Sequence, residues 1–339
     1  MERKSKKTST LPITLFLVIV VCGSIFFVVQ SLSTMVSRLD ETEKQEIREA
    51  ILPKNPLSSL KQTPEGYTNA LLLGIGGPGH KSGELTDSIM LISLSHTKER
   101  PSFIFSIPRD LWVRGTDNEF TKINELYKQD GGTAEPDHKK TGRIKEKVEE
   151  ITGQTIHYIA VVDLIAIEDL ANFFDGITID GVHYSGETLT AYLRDRSVPG
   201  NDFTRMNNQK KVLVALLEKI EQGNLLGSLE KATEAYAIIA DHASINIGIT
   251  DYFGVFELSK SVTSDNIELY SITPENNLLQ PAQRMLYGYI QVYALIPTAG
   301  EENYRDIKSF VETILSNEQS ASLPPSQPEI ETPLSEPTT

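Results

Sequence analysis

Asn69-Ala-Leu-Leu-Leu-Gly-Ile75 is the first of three short apolar runs, and Ser88-Ile-Met-Leu-Ile-Ser-Leu94 and Ser102-Phe-Ile-Phe-Ser-Ile107 follow it closely. Runs of this length, rich in branched and aromatic side chains and bounded by turn residues, are typical of buried β-strands. Two further runs, Ile156–Val162 and Ile177–Asp180, have the same character. These five runs predict a central sheet.

Segments with helical periodicity alternate with the strands. The predicted helices are Glu119–Gln129, Lys139–Ile151, Leu164–Phe174, Gly186–Leu193, Thr204–Gln222, Leu229–Ala240, Asp251–Ser261 and a last one near Asn303–Leu315, with another strand near Tyr289–Ile296. This alternation predicts an α/β fold, an αβα sandwich in which a mixed central sheet is flanked by helices. We expect the folded unit to span residues 67–315.

The N-terminal segment predicts a membrane anchor. Residues 11–29 are apolar and uncharged, and only weakly polar residues follow, so that residues 11–34 are long enough for a transmembrane helix. Four basic side chains within residues 1–10 predict a cytoplasmic N-terminus and an extracytoplasmic remainder. A cleaved signal peptide is the alternative, although no Ala-x-Ala-like site follows. We therefore expect a single-pass protein of the cytoplasmic membrane.

Composition limits the other possibilities. The chain has a net charge of −14, and beyond residue 10 its 28 basic and 45 acidic side chains leave −17, which disfavours nucleic-acid binding. Cys22 is the single cysteine, so the core must hold the external domain without disulfides. Residues 35–66 are interpreted as a stalk and linker. Residues 316–339, rich in proline, serine, glutamate and threonine, are interpreted as a disordered tail.

Against this acidic background, several basic residues and one aspartate stand out, some of them directly after apolar runs. They are Asp87, Arg109, Lys122, Arg194, Arg196, Arg205 and Gln209. Side chains that follow strands of an α/β sheet gather where such sheets bind ligands. Guanidinium groups suit phosphate oxygens, and one carboxylate among them indicates a metal-assisted phosphate site.

The predicted helix at 204–222 supports this interpretation. Its apolar stripe, projected back at helical spacing, places Arg205 and Gln209 on the buried side near the helix N-terminus. A charged group on a buried face needs an acceptor or a ligand-filled cleft, and a helix N-terminus favours anions. For any one arginine, a surface ion pair explains the position equally well; the four together favour an anion site.

Gly74-Ile-Gly-Gly-Pro-Gly79 matches the dinucleotide fingerprint G-x-G-x-x-G. Residues 80–84 do not open an apolar helix, so nucleotide binding is not expected. The loop is interpreted as a tight turn, or as a turn whose backbone approaches a ligand. The six histidines lack metal-binding spacing and are interpreted as structural or surface residues: His80, His96, His138, His157, His183 and His242.

The order and spacing of these pieces resemble the LytR-CpsA-Psr family. The resemblance covers about residues 69–315 and rests on Asn-Ala-Leu-Leu-Leu-Gly-Ile, Thr-Asp-Ser-Ile-Met-Leu, Ser-Ile-Pro-Arg-Asp, Thr-Lys-Ile-Asn-Glu-Leu-Tyr, Leu-Arg-Asp-Arg and Asn-Asp-Phe-Thr-Arg with Gln209 four residues later. It implies a phosphotransferase that moves a glycopolymer from a polyprenyl pyrophosphate carrier to peptidoglycan. The carrier's tail would need an apolar channel between sheet and helices.

The resemblance also implies roles for the residues. Asp87 would be catalytic and hold Mg²⁺ on the pyrophosphate. Arg109, Arg194 and Arg196 would be catalytic and bind the pyrophosphate oxygens. Arg205, Gln209 and Lys122 would contribute to binding, Lys122 by a less defined contact.

Three positions depart from the family pattern. Gly76 stands where an aspartate is frequent, while Leu85 and Asn208 stand where arginines are common. Fewer charges leave two alternatives to the phosphotransferase open. One is a non-catalytic polyprenyl pyrophosphate-binding protein of wall assembly, and the other is a hydrolase that uses water as the acceptor.

Overall fold

A computed structural model describes residues 56–194, 240–248, 251–259 and 266–316, together with individual helical residues between 208 and 238. The strands are β1 (Tyr67–Ile75), β2 (Thr86–Ser95), β3 (Ser102–Ser106), β4 (Trp112–Arg114), β5 (Phe120–Lys122), β6 (Tyr158–Asp163), β7 (Ile177–Ile179), β8 (Val182–Tyr184), β9 (Ala243–Ile245), β10 (Ile267–Ser271), β11 (Leu279–Leu286) and β12 (Ile290–Pro297). The helices are α1 (Leu126–Gln129), α2 (Gly142–Thr152), α3 (Leu164–Phe173), α4 (Gly186–Arg194), α5 (Asp251–Ser259) and α6 (Arg305–Leu315).

Six strands form the central sheet in the order β10-β3-β2-β1-β6-β9. β1 is antiparallel to β2 and parallel to β6, β3 is antiparallel to β2 and parallel to β10, and β9 is antiparallel to β6. The predicted mixed α/β fold with a central mixed sheet is therefore confirmed. The three apolar runs that open the domain form its middle, which explains why both faces of these strands are buried.

Each face of the sheet carries its own apolar core. Alternate residues of β1 and β2 point to opposite faces, as strand geometry requires. One core joins Ala70 and Met90 to α3, α4 and α5, and the other joins Leu71 and Leu91 to α2 and α6. Helices thus cover both faces of the sheet.

Residues 119–129, predicted as one helix, form instead the strand β5, a 3-10 turn at Ile123–Glu125 and the short helix α1. The reason is a tertiary contact, since β5 pairs antiparallel with β4 and the ring of Phe120 stacks on Trp112 at 6.2 Å. The strand predicted near Tyr289–Ile296 is β12, and it pairs with β11 in a hairpin. This hairpin packs on Trp112 through Leu286 and Ala294.

Within the described part of the chain, no helix has the length and apolar character needed to cross a membrane. The segments predicted as anchor (11–34) and tail (316–339) lie outside the described residues apart from Ser316, and most of the predicted stalk and linker (35–66) does too. The boundaries given for these segments stay predictions.

Candidate functional site

One edge of the central sheet collects three of the charged residues selected from the sequence, Asp87, Arg109 and Lys122. Because of the strand directions, the carboxyl ends of β1, β3, β6 and β10 meet there with the first residues of β2 and β9. In open α/β sheets, ligands bind outside the carboxyl ends of the strands. Asp87 lies near the start of β2, and Arg109 follows β3 at this edge.

Asp87 and Arg109 form an ion pair at the centre of the edge. Arg109 Nη1 donates to Asp87 Oδ1 at 2.5 Å, and the two side chains remain 18% (Arg109) and 29% (Asp87) exposed. The pair is therefore open to a ligand. A guanidinium carries five N–H groups in a fixed fork, so it can contact more than one acceptor oxygen at a time.

A second pair adjoins the first. Lys122, the last residue of β5, donates through Nζ to Asp110 Oδ1, and Asp110 Oδ2 lies 3.9 Å from Arg109 Nε. Asp110 is largely buried, and its backbone oxygen accepts from Leu295 N of β12 at 2.9 Å. The structure thus joins Asp87, Arg109, Asp110 and Lys122 in one network of alternating charge.

The glycine-rich segment after β1 is a closed loop beside this network. Gly77 N donates to Gly83 O at 3.1 Å, and the chain then enters β2, which is antiparallel to β1. A dinucleotide fingerprint instead opens the helix of a βαβ unit. The loop is therefore a turn between two antiparallel strands, and the approach of its backbone to a ligand stays a prediction.

Asp163 and His242 lie at the same edge and were missed as a pair. Asp163 ends β6, its side chain is fully buried, and its Oδ1 accepts from Ala166 N at the start of α3. Its Oδ2 lies 2.8 Å from His242 Nδ1, and the His242 side chain is 25% exposed. An aspartate between a strand and a helix is a typical helix N-cap, which was the available signal for Asp163. No local pattern in the sequence points to His242, because it lies 79 residues from Asp163 along the chain.

A peripheral ion pair ties the loop to α1. Lys128 Nζ donates to Glu84 Oε1 at 2.7 Å. This hydrogen bond lowers the pKa of the Glu84 carboxyl and raises the pKa of Lys128. Both side chains are open to solvent, so the pair orients the loop and contributes little to stability.

The remaining predicted site residues are only partly described. Arg194 is the last residue of α4, and Arg196 and Arg205 lie outside the described residues, as does the side chain of Arg194. Gln209 is buried, and its Oε1 has no hydrogen-bond partner among the described residues. The structure therefore brings Asp87, Arg109 and Lys122 together.

Two of the three departures from the family pattern, Gly76 and Asn208, have local explanations. A Cβ at Gly76 would come within 3.1 Å of Gly83 Cα, so the closed loop leaves little room for a side chain. Asn208 is buried and donates to the backbone oxygen of Tyr192 in α4 at 3.1 Å. Leu85 precedes β2 and is half-buried.

The carboxylates at this edge can bind a hard cation only together with a ligand that supplies further oxygen atoms. Among the described residues, no group of three or more potential ligands is preformed. Asp87 is a single accessible carboxylate, and Asp110 is engaged by Lys122. Because Mg²⁺ binds through one or two carboxylates and completes its shell with waters and substrate phosphates, this donor set fits an ion that arrives with a phosphate ligand.

The fold and this edge define an α/β domain with a charged site at the carboxyl ends of its strands. The LytR_cpsA_psr family matches residues 25–183 and 181–294, and the chain belongs to this family.

A curated relative is the polyisoprenyl-teichoic acid–peptidoglycan teichoic acid transferase TagV of Bacillus subtilis strain 168, 26% identical over 255 residues. The match covers 67% of this chain and 61% of TagV. The chain thus spans less than two thirds of that relative.

Solved structures share the fold. The crystal structure of B. subtilis TagV has a TM-score of 0.53 at 24% identity, with 75% of this chain and 99% of that chain covered. The protein gbs0355 of Streptococcus agalactiae has a TM-score of 0.56 at 17% identity, with coverages of 76% and 91%. Lin1025 of Listeria innocua has a TM-score of 0.52 at 21% identity, with coverages of 74% and 99%.

Proposed function

We propose that this protein is a membrane-anchored phosphotransferase that moves a glycopolymer from a polyprenyl pyrophosphate carrier to peptidoglycan. Its domain would stand outside the cytoplasmic membrane, held by the apolar segment at residues 11–34. The observation that carries the proposal is the accessible Asp87–Arg109 pair, joined to Asp110 and Lys122 at the edge where the carboxyl ends of the parallel strands meet. Family membership and the activity named for TagV support this choice of substrate class.

The proposed reaction is a substitution at phosphorus. A hydroxyl oxygen of a wall sugar forms a bond to the phosphorus that carries the glycopolymer, and the bond from that phosphorus to the bridging oxygen breaks. Polyprenyl phosphate leaves, and the hydroxyl proton passes to solvent or to a phosphate oxygen. No nucleotide is required, because the pyrophosphate bond supplies the driving force.

The charged network would serve this reaction by neutralising negative charge. Arg109 and Lys122 would donate to the pyrophosphate oxygens, and Arg194, Arg196, Arg205 and Gln209 are proposed to complete the binding site. Asp87 would hold Mg²⁺, which supplies further neutralisation of the phosphate charge when it is bound. Fixed donors of this kind lower the barrier most when they contact charge that develops in the transition state.

A second candidate function follows from the three positions that depart from the family pattern, Gly76, Leu85 and Asn208. The crowded position of Gly76 and the engaged amide of Asn208 leave the site with less charge than the family pattern has. A site that binds the carrier without turning it over would be a non-catalytic wall-assembly protein. A site that accepts water would be a hydrolase.

Replacement of Asp87 by asparagine tests the proposal. The isosteric amide keeps the size of the side chain and removes the charge, so we expect release of polyprenyl phosphate from a glycan-loaded carrier to fall by about 100-fold or more. Binding of the carrier should change much less, because the apolar tail contributes most of the buried area. Asp306→Asn, an exposed aspartate on α6 paired with Arg305, is the matched control and should behave as wild type.

The same assay separates the alternatives. Release that requires peptidoglycan fragments supports the transferase, and release without them indicates the hydrolase. A wild-type protein that binds the carrier and releases nothing under either condition contradicts both and leaves the binding protein. Equal activity of the Asp87→Asn and wild-type proteins would remove Asp87 from the mechanism.

A further inference from the structure

The β11–β12 hairpin carries an uncharged and unusually exposed aromatic surface. Residues 276–300 contain a single charged side chain, Arg284, in a chain that is 23% charged. Arg284 is itself paired with Glu301 at 2.8 Å. Exposed contiguous apolar groups on a soluble domain mark interaction sites more often than chance. The composition of this hairpin therefore favours an uncharged ligand.

One face of the hairpin packs on the domain, and the other face is exposed to solvent. Alternate residues, among them Leu286 and Ala294, pack on Trp112. The opposite face exposes Tyr293 beside its cross-strand partner Gln283, and Met285 beside Gln291. At the tip, the rings of Tyr287 and Tyr289 lie 6.5 Å apart and are 59% and 74% exposed. We call Gln283, Met285, Tyr287, Tyr289, Gln291 and Tyr293 the tyrosine face.

The tyrosine face is continuous with the candidate active site. Tyr287 Oη lies 3.5 Å from Glu125 Oε2, and the neighbouring Asn124 N donates to Arg109 O at 3.3 Å. On the other strand, Leu295 N donates to Asp110 O at 2.9 Å, two residues from Tyr293. The turn at Tyr287 thus contacts the side chain of Glu125, next to Asn124, and strand β12 is bonded to the backbone of Asp110. A polymer lying on the face would lead directly to the site.

We propose that the tyrosine face is a glycan-binding subsite that holds the acceptor chain, so that a sugar hydroxyl is presented at Arg109 and Asp87. This inference rests on the proposed transferase function. A pyranose ring has an apolar C–H face that stacks on an exposed aromatic ring, and a rim of hydroxyls that bond to side chains with both donors and acceptors. Tyr289 and Tyr293 supply the rings, and Gln283 and Gln291 supply such amides.

The charge of the surface favours a sugar chain over a phospholipid surface. Segments that bind anionic membranes carry clusters of lysine and arginine, which attract the negatively charged headgroups. The tyrosine face carries no such cluster, and Arg284 is already engaged by Glu301. Tyrosine also contributes contact area at low entropic cost, because only two side-chain torsions are fixed on binding.

The first measurement is cosedimentation of the full chain in detergent with insoluble peptidoglycan stripped of attached polymers. We expect wild-type protein to bind, and Tyr289→Ala/Tyr293→Ala to bind about tenfold more weakly. Val182→Ala, an equally exposed apolar residue on the β7–β8 hairpin, is the matched control and should bind as wild type. Trp112, the only tryptophan, packs beneath the hairpin, so unchanged fluorescence in the double variant shows that the hairpin remains folded.

The second measurement is nitration of Tyr289 and Tyr293 by tetranitromethane, followed by mass spectrometry. Protection by peptidoglycan fragments supports the proposal. Protection by phosphatidylglycerol vesicles alone overturns it in favour of a membrane surface, and unchanged cosedimentation of the folded double variant, or no binding by wild type, also overturns it. Neither measurement requires turnover. A protein that binds peptidoglycan through these tyrosines yet releases no polyprenyl phosphate would contradict the proposed transferase and leave the subsite standing.

Discussion

Each cation of the candidate site that the structure describes already has a carboxylate partner. Arg109 pairs with Asp87, and Lys122 pairs with Asp110. An arriving phosphate or metal ion must therefore exchange contacts with these partners. Such a network is held in place before the substrate arrives, which limits the reorganisation needed on binding. The network also compensates the negative charge of the buried Asp110, which would destabilise the protein if it had no cationic partner.

Asp163 is expected to be the residue on which this edge depends most for stability. It caps α3 through Ala166 N and bonds His242, and both contacts are lost in Asp163→Ala. We expect the free energy of unfolding to fall by about 2 kcal/mol, measured by chemical denaturation. Asp163→Asn keeps an acceptor for Ala166 N and should lose less. An Asp163→Ala protein as stable as wild type would show that the cap is dispensable.

At the residue scale, the sequence predicted the positions that follow strong strands. Asp87 and Arg109 were found because each adjoins an apolar run, and the structure joins them. The partner of Lys122 was not predicted, because the hairpin that carries Lys122 was read as a helix. Asp163 and His242 meet only through the pairing of β6 with β9, a long-range contact that local pattern does not encode.

Among the elements, the loop between β1 and β2 is the most sensitive to a single added carbon. Gly77 has φ +83, and a Cβ there would lie 2.9 Å from Asp163 Cβ. Gly79 has φ +78, with no atom within 4 Å of the corresponding position. The two glycines share the left-handed conformation and differ in the space around them.

This difference permits a matched test. Gly79→Ala should cost about 1 kcal/mol, the strain of a left-handed alanine, whereas Gly77→Ala should cost about 1–3 kcal/mol more because Asp163 must move. Urea denaturation of both variants gives the comparison. Equal losses would show that backbone strain alone governs the loop and that its contact with Asp163 is loose.

Most of the elements that the sequence predicted have clear apolar patterns. The strands β1, β2, β3, β6, β7 and β12 were predicted, as were the helices α2, α3, α4, α5 and α6, with soft ends. The three-residue strands β4, β5, β8 and β9 were missed, because three residues carry too little periodicity to distinguish them from a loop. The longer β11 was missed as well, because proline and polar residues interrupt its apolar pattern. β10 was also missed, although its five residues alternate, because its pairing partner β3 lies more than 160 residues earlier.

For the molecule as a whole, three half-buried histidines predict a loss of stability in acid. Burial lowers the pKa of His96, His138 and His157 below that of an exposed histidine. His157 Nδ1 also accepts from Asn69 N at 3.0 Å, a bond that only the unprotonated nitrogen can make. The unfolded chain therefore binds more protons than the native protein below about pH 6.5, and stability falls as the pH falls.

The expected result is a free energy of unfolding that declines from pH 7 to pH 5. His157→Gln offers an amide acceptor that does not titrate, so its stability should depend less steeply on pH. Denaturation curves at several pH values measure both slopes. A wild-type stability that is constant or rises toward pH 5 would contradict the argument.

The direction of β1 has a practical consequence for immobilisation. The chain enters the domain at the start of β1, and Arg100 bonds there to the backbone oxygens of Glu65 and Leu315, so α6 ends at the same place. Nine strand residues, about 30 Å, separate that end from the charged edge. A bead, a surface or a fused reporter attached at Glu65 or Ser316 would therefore sit at the opposite end of the sheet, and the charged edge would face the bulk solution.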